Sequence, residues 1–220
     1  EYEVNDYLAS GKKVLAEGAQ GSLLDIDFGS YPFVTSSSTM VAGACTGLGV
    51  SPSKIGDVFG IFKAYCTRVG SGPFPTELHD VTGEAMRKEG NEFGSTTGRP
   101  RRCGWIDLPA LKYSIMINGV TQLFMMKADV LNIFEEIKIC THYELPDGTS
   151  VDRLTYELNN DEVKPVYLTV PGWYTSLAEV NEYDKFPKEL RNYVDLLEKE
   201  LGVPIKMVSV GPDRKQTILR

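Results

Sequence analysis

Three arginines within four residues, Arg99-Pro100-Arg101-Arg102, follow the small polar run Gly94-Ser95-Thr96-Thr97-Gly98. In a chain of net charge −7 this places guanidinium forks beside hydroxyl donors and beside glycines that let successive backbone N–H groups point at one anion. These residue types favour a clamp for a small carboxylate or phosphate. A solvated basic loop and a nucleic-acid or nuclear-localisation patch are the alternatives. A second group, Lys127-Ala128-Asp129, directly follows the apolar run Val120 to Met126. Ligands of open α/β sheets sit beyond the C-terminal ends of parallel strands. An ionised aspartate there only accepts, which matches the adjacent N1–H and N2–H2 donors of guanine, and the lysine stem can cover base or ribose. A surface charge pair is the plainer alternative.

Two further segments can join such a site. Val208-Ser209-Val210-Gly211-Pro212-Asp213-Arg214 lies at the end of another strand-like run and is either a second wall for the same base or a turn. Gln20, in Gly18-Ala19-Gln20-Gly21, carries an amide that donates and accepts, as a purine carbonyl and its neighbouring N–H require. An ordinary polar turn is the other reading. His79 and His142 are far apart and lack a Ser or Cys in a nucleophile context, so neither is assigned a catalytic role.

The elements that must hold these groups follow from pattern. A β-like run at Lys13–Glu17 leads into the Gln20 turn, and the small residues from Ser36 to Gly49 read as loop. Ser51-Pro52 predicts a helix to about Phe59, and Ile61–Val69 a strand. Asp107 caps a predicted helix that ends at Asn118-Gly119. It is followed by the buried strand Val120–Met126, a helix-then-strand order that suggests a parallel α/β unit. Glu136–Tyr143 and Ser150–Leu154 flank the hairpin signal Pro146-Asp147-Gly148, and Val166–Val170 adds a strand. Leu190, Tyr193, Val194, Leu197 and Leu201 follow helical spacing from Pro187 to Gly202, before a strand at Ile205–Val210. The charged stretch with Thr82, Glu84 and Met86–Glu92 reads as a linker with a solvated face.

Composition bounds the class. A chain of 220 residues with 42% hydrophobic and 24% charged residues buries a sizeable core, in one large domain or two smaller ones at roughly 100–200 residues each. It is too apolar for disorder. The acidic balance argues against a dedicated nucleic-acid binder, so any anion site must be local. No apolar run approaches the ~18–20 residues that span a bilayer. The acidic start Glu1-Tyr2-Glu3 lacks the order of a signal peptide; with no initiator Met, the chain is expected to begin inside a longer protein. Cys45, Cys66, Cys103 and Cys140 form no C-x-x-C pair and are expected to be buried, reduced thiols of a cytoplasmic protein.

Taken together, Glu17–Asp27, Tyr31–Ser37, Thr67–Glu77, Gly90–Arg99 and Gly211–Arg214 resemble, in order, the C-terminal half of the adenylosuccinate synthetase family. That family uses GTP to phosphorylate the 6-oxygen of IMP, after which the amine of L-aspartate displaces phosphate. The resemblance implies IMP contacts from Gln20, Thr35, Val69 and Arg99, with Gln20 at the 6-oxygen. It implies an aspartate loop of Ser95, Thr96, Thr97, Gly98, Arg99 and Arg101, with Arg101 also near the GTP phosphates. It implies a guanine frame of Lys127, Asp129, Ser209 and Gly211. Ala128 stands where an apolar residue is expected in the middle of the guanine motif.

The resemblance also implies a cytoplasmic homodimer that uses Mg2+ and binds neither nucleic acid nor membrane. The family's phosphate loop, catalytic Asp and His, and Mg2+ ligands belong to its N-terminal half. No G-x-x-x-x-G-K-like segment occurs here, so the chain is expected to be inactive alone, with a stand-alone nucleotide- or anion-binding module as the rival reading. The expected class is α/β, with the remainder of a mostly parallel nucleotide-binding domain over 1–62 and a C-terminal α/β domain with an antiparallel hairpin over 63–220.

Overall fold

The structure, a computed structural model, describes residues 1–94, 96, 98–155, 158 and 163–220. In chain order its elements are α1 (Tyr2–Ala9), α2 (Ala42–Leu48), β1 (Phe59–Lys63), β2 (Cys66–Arg68), α3 (Val81–Glu89), β3 (Arg102–Gly104), β4 (Ile106–Asp107) and α4 (Leu108–Asn118). They continue as β5 (Gln122–Met126), β6 (Glu136–Glu144), β7 (Ser150–Val151), β8 (Lys164–Pro171), α5 (Lys188–Leu201), β9 (Ile205–Ser209) and β10 (Thr217–Leu219). Two units result: Glu1–Val58 with Ser114–Val120, and Phe59–Tyr113 with Thr121–Arg220.

The second unit carries the sheets. One runs β1-β5-β9-β10; β5 is parallel to both β1 and β9, and β10 is antiparallel to β9. Leu123 and Met125 of β5 are buried in the alternation of a pleated strand, while in β9 the buried Ile205 and Val208 stand three apart, across a register shift in its pairing with β5. Helix α5 buries all five residues of its apolar stripe and ends at Gly202, φ 67°. Tyr193 on that stripe donates to the Ala64 carbonyl at 2.7 Å. The other large sheet centres on β6, which pairs with β4 in parallel and with β7 and β8 antiparallel; the β6–β7 turn closes through Gly148, φ 82°. The class is therefore α/β, a mostly parallel sheet with antiparallel additions.

Several expectations are corrected. Lys13–Glu17 is exposed irregular chain, and has no strand partner among the described residues. The helix from Ser51 is a single turn, Pro52–Lys54, because the chain extends from Ile55 and Phe59 is taken up by pairing with Gln122. The strand over Ile61–Val69 is cut at Ala64-Tyr65. Ala64 N–H donates to the Met126 carbonyl at 2.9 Å, and the chain then joins a short ladder of β2 with β3. The small-residue loop contains α2, ended by Gly49 at φ 64°. The supposed charged linker folds as α3: Asp80 caps it by accepting from the amides of Thr82 and Gly83 at 3.0 and 3.1 Å, and Met86 is buried. One buried methionine in nine residues leaves too weak an apolar stripe to detect by pattern.

All four cysteines are free thiols; Cys103 and Cys140 are buried as expected, but Cys45 and Cys66 are only half-buried. No described helix is long and apolar enough to cross a membrane.

Candidate functional site

In the first unit the Gln20 and Thr35 segments are organised by Asp25. Its buried carboxylate accepts from the amides of Asp27 and Phe28 through Oδ1, both at 3.0 Å, and through Oδ2 from the Thr39 amide at 2.8 Å, the Met40 amide at 3.3 Å and the Ser38 hydroxyl at 3.2 Å. Burial pushes this carboxyl up, yet the donated hydrogen bonds outweigh it and hold the group below the usual carboxylate range. Thr35 N–H donates to the Leu24 carbonyl at 2.8 Å, and Thr39 Oγ1 to that of Gly21 at 2.9 Å. Asn118 ties the same turn to the start of α2, donating to Ser22 Oγ at 3.0 Å and accepting from the Val41 amide at 2.9 Å. Gln20 itself is exposed and adopts φ 63°. A left-handed non-glycine residue stores strain, a feature concentrated at functional sites.

In the second unit the arginine-rich loop is a hairpin. Phe93 bridges Pro100, Gly94 N–H donates to the Arg99 carbonyl at 2.8 Å, and Gly98 turns at φ 63° with its amide on the Gly94 carbonyl at 2.8 Å. Thr96 and Arg99 are exposed on it; the assignments at Ser95 and Thr97 lie outside the described residues. The three arginines separate. Arg102 turns to the carboxylate of Glu77 and the carbonyls of Gly70 and Gly72, at 3.1 and 2.9 Å for the carbonyls, and so holds the segment just after the exposed Val69. Adjacent residues in extended chain point to opposite sides, and Arg101 turns the other way, to Glu92.

Glu92 is the feature that pattern reading missed. It lies three residues past α3 and is fully buried. Oε1 accepts from Lys63 Nζ at 2.8 Å, Lys127 Nζ at 2.8 Å and Tyr65 Oη at 2.5 Å, while Oε2 accepts from Arg101 Nη1 at 2.7 Å. Three cations thus face one carboxylate, a surplus of two positive charges. Burial pushes the Glu92 carboxyl up, but the bonds from Lys127, Lys63 and Tyr65 and the Lys63 charge bring it down to about 2. Burial lowers the Lys63 ammonium in turn, against the pull of Glu92, and raises the Tyr65 phenol. The one signal in sequence was that an acidic residue sits next to Phe93 and the clamp arginines, each of which needs a counter-ion if it is buried.

Lys127 ends β5 in a left-handed conformation, φ 61°, and also donates to the Gly90 carbonyl at 2.6 Å. Asp129 lies in the following 3-10 turn, which packs on β9. Its Oδ1 is buried without a protein partner, and burial raises its carboxyl pKa despite its own amide and Lys127. Ser209 and Gly211 leave the adjacent parallel β9, with Met125 in register with Val208. Ser209 Oγ donates to the Gly211 carbonyl at 2.9 Å, and a Cβ at Gly211 would collide with the Gln216 side chain. Lys127, Asp129, Ser209 and Gly211 therefore come together at the C-terminal ends of two neighbouring strands. Among the described residues no group of three or more His, Cys, Asp or Glu side chains is placed to hold a metal ion.

A family model described as adenylosuccinate synthetase matches residues 1–218. The adenylosuccinate synthetase of Cytophaga hutchinsonii is 66% identical over the whole chain, and that of Bacteroides fragilis 63%. The chain spans about half the length of these curated relatives, 51% and 52%. The solved structure of fully ligated adenylosuccinate synthetase from Plasmodium falciparum matches with TM-score 0.95 at 42% identity, over 100% of this chain and 53% of that one. A cyanophage S-2L succinoaminodeoxyadenylate synthetase, 18% identical with TM-score 0.61 over 99% of this chain and 49% of that one, shares the fold.

Proposed function

The chain belongs to the adenylosuccinate synthetase family, and from that premise we propose that it supplies the aspartate loop and the guanine slot of a GTP-dependent ligase. In that reaction N1 of IMP gives up its proton as the 6-oxygen attacks the γ-phosphorus of GTP, and GDP leaves. The amine of L-aspartate then adds at C6, phosphate departs and the amine loses a proton, giving adenylosuccinate. The observation that carries the reading is Asp129 Oδ1, a buried acceptor with no protein partner, in a turn that packs on the strand leading to Ser209 and Gly211. An unpaired buried acceptor costs about 1–3 kcal/mol, and the N1–H and N2–H2 groups of guanine are donors of the right kind to relieve it.

In this reading Lys127 flanks the base. Gln20, Thr35, Val69 and Arg99 are each assigned to IMP, Gln20 to its 6-oxygen. The loop Ser95, Thr96, Thr97, Gly98, Arg99 and Arg101 takes the aspartate carboxylates, where guanidinium forks and hydroxyls give charge-assisted bonds. Arg101 also serves the GTP phosphates.

The phosphate loop, the catalytic Asp and His and the Mg2+ ligands come, in this reading, from the part of the family's length outside this chain. Mg2+ bound there neutralises phosphate charge, and this chain alone does not turn over. The same reading makes the whole protein a cytoplasmic homodimer. The test is product formation by the full-length protein from GTP, IMP and L-aspartate. Adenylosuccinate and GDP in equal amounts are expected. GTP binding without product would favour a non-catalytic nucleotide-binding module instead.

A further inference from the structure

Four donors from three stretches of chain converge on the buried Glu92 carboxylate. Lys63 closes β1 and Tyr65 follows it, Lys127 opens the turn after β5, and Arg101 returns from the loop hairpin. Two of these have roles in the ligase reading, Arg101 toward aspartate and the GTP phosphates and Lys127 toward guanine. Lys63, Tyr65 and Glu92 have no assigned role there. The loop's neck is fixed to the same residue by its backbone, since Arg101 N–H donates to the Glu92 carbonyl at 2.9 Å and Glu92 N–H to that of Arg87 at 2.8 Å. Arg87 in turn donates from Nε to the Arg101 carbonyl at 2.7 Å.

We propose that Glu92 is a positioning residue: one carboxylate sets Arg101 and Lys127 in a common arrangement, so that the aspartate loop and the guanine turn are ordered together. The inference rests on the ligase reading for the identity of the two ligands. A carboxylate suits the task because its two oxygens take about four donors. Lys and Arg side chains are long and rotamer-rich, and free of a partner they lose much of their orientation. Lys127 departs from the strand in a left-handed conformation, which its bonds to Glu92 and to the Gly90 carbonyl brace from the side-chain end. Without the negative charge, three cations within one small volume repel each other. Arg101 and Lys127 would then move apart, and because Arg101 is assigned to aspartate and the GTP phosphates while Lys127 is assigned to guanine alone, exchange in the two segments separates their contributions.

The test uses the full-length protein and Glu92→Gln, which keeps the shape, removes the charge and leaves one acceptor oxygen. Three Michaelis constants are measured, together with hydrogen exchange of the backbone over 94–101 and 127–131. The expected result is a rise of about tenfold in KM for both aspartate and GTP, the scale of effect that misplaced binding groups produce. KM for IMP should rise less, because of its four assigned residues only Arg99 lies in the loop, and exchange should quicken in both segments. A change confined to one substrate or one segment overturns the proposal, as does a lower melting temperature with all KM values intact. An inactive wild-type protein would sink the ligase reading and leave the paired exchange change to decide the anchor. Should Glu92→Gln fail to fold, Tyr65→Phe removes one donor with little change of shape. A paired rise of about twofold is then expected, the smaller loss reflecting one neutral donor among four, and an unchanged pair of constants overturns the proposal.

Discussion

Glu92 and Arg101 meet twice across the neck of the arginine-rich loop: the Arg101 amide donates to the Glu92 carbonyl at 2.9 Å, and its Nη1 donates to Glu92 Oε2 at 2.7 Å. A residue assigned to a mobile ligand is thus also part of the loop's foundation, which shapes what its substitution does.

Arg101→Leu should act on two quantities in the full-length protein. Removing one of four donors from a buried carboxylate costs about 1–3 kcal/mol, read as a lower urea midpoint. KM for aspartate should rise sharply and kcat should fall, because charge-assisted bonds are lost. Arg101→Lys, which keeps charge but not the fork, should recover part of the stability and less of the kinetics. Lost stability with unchanged kinetics would assign Arg101 to the fold alone.

Asp25→Ala removes the acceptor of five donors and should destabilise the protein by about 3 kcal/mol or more. It should also raise KM for IMP, since Thr35 and Gly21 of the Gln20 turn are both bonded to Leu24, the residue before Asp25. The folded carboxyl lies below its ordinary value, so its contribution is present above the usual carboxylate range and is lost as pH falls through that range. The deficit of Asp25→Ala should therefore shrink on acidification; a constant deficit would remove the charge from the account.

Asp107 gives the opposite sign. It is buried, accepts from Tyr143 Oη at 2.7 and 2.8 Å and caps α4 through the Ala110 amide at 3.1 Å. Burial lifts its carboxyl to about 6 despite those bonds. The folded state holds its proton more tightly than the unfolded chain, so the protonated form stabilises at low pH, and that stability is lost as pH rises from about 4 through 6. Asp107→Asn should gain relative to wild type by about 3 kcal/mol between pH 4 and pH 8, two pKa units at about 1.4 kcal/mol each. Urea unfolding across that range is the check, and parallel profiles would refute the shift.

Gly211→Ala should raise KM for GTP modestly, because its Cβ meets the end of the Gln216 side chain, which must swing away and give up the bond it accepts from the Asp213 amide at 3.0 Å. Binding of IMP should be unaffected. If GTP and IMP weaken alike, the Ser209–Gly211 turn is not a wall of the base site.

Asp129→Asn should relax base choice, since an amide offers one acceptor where the carboxylate offered two. Competition assays with GTP, ITP and ATP read this directly. A variant that still strictly rejects ITP and ATP would remove Asp129 from base selection.

Local signals carried much of this protein into view from sequence. The stripe of α5, the Asp107 cap of α4, the β6–β7 hairpin and the buried core of β5 each depend on neighbours within a few residues. They were legible for that reason, as was the placing of Lys127 and Asp129 beyond a strand end. The Glu92 hub, the Asp25 clamp and the parting of Arg101 from Arg102 were not. Lys63 lies 29 residues from Glu92, Lys127 35, and Thr39 14 from Asp25. A buried carboxylate is recognisable only by the donors that make its burial tolerable, and those donors reach it only once the sheet has paired. Sequence determined which groups could meet an anion or a guanine. Tertiary structure decided which cation answers to which carboxylate, because that choice is made by distance through space.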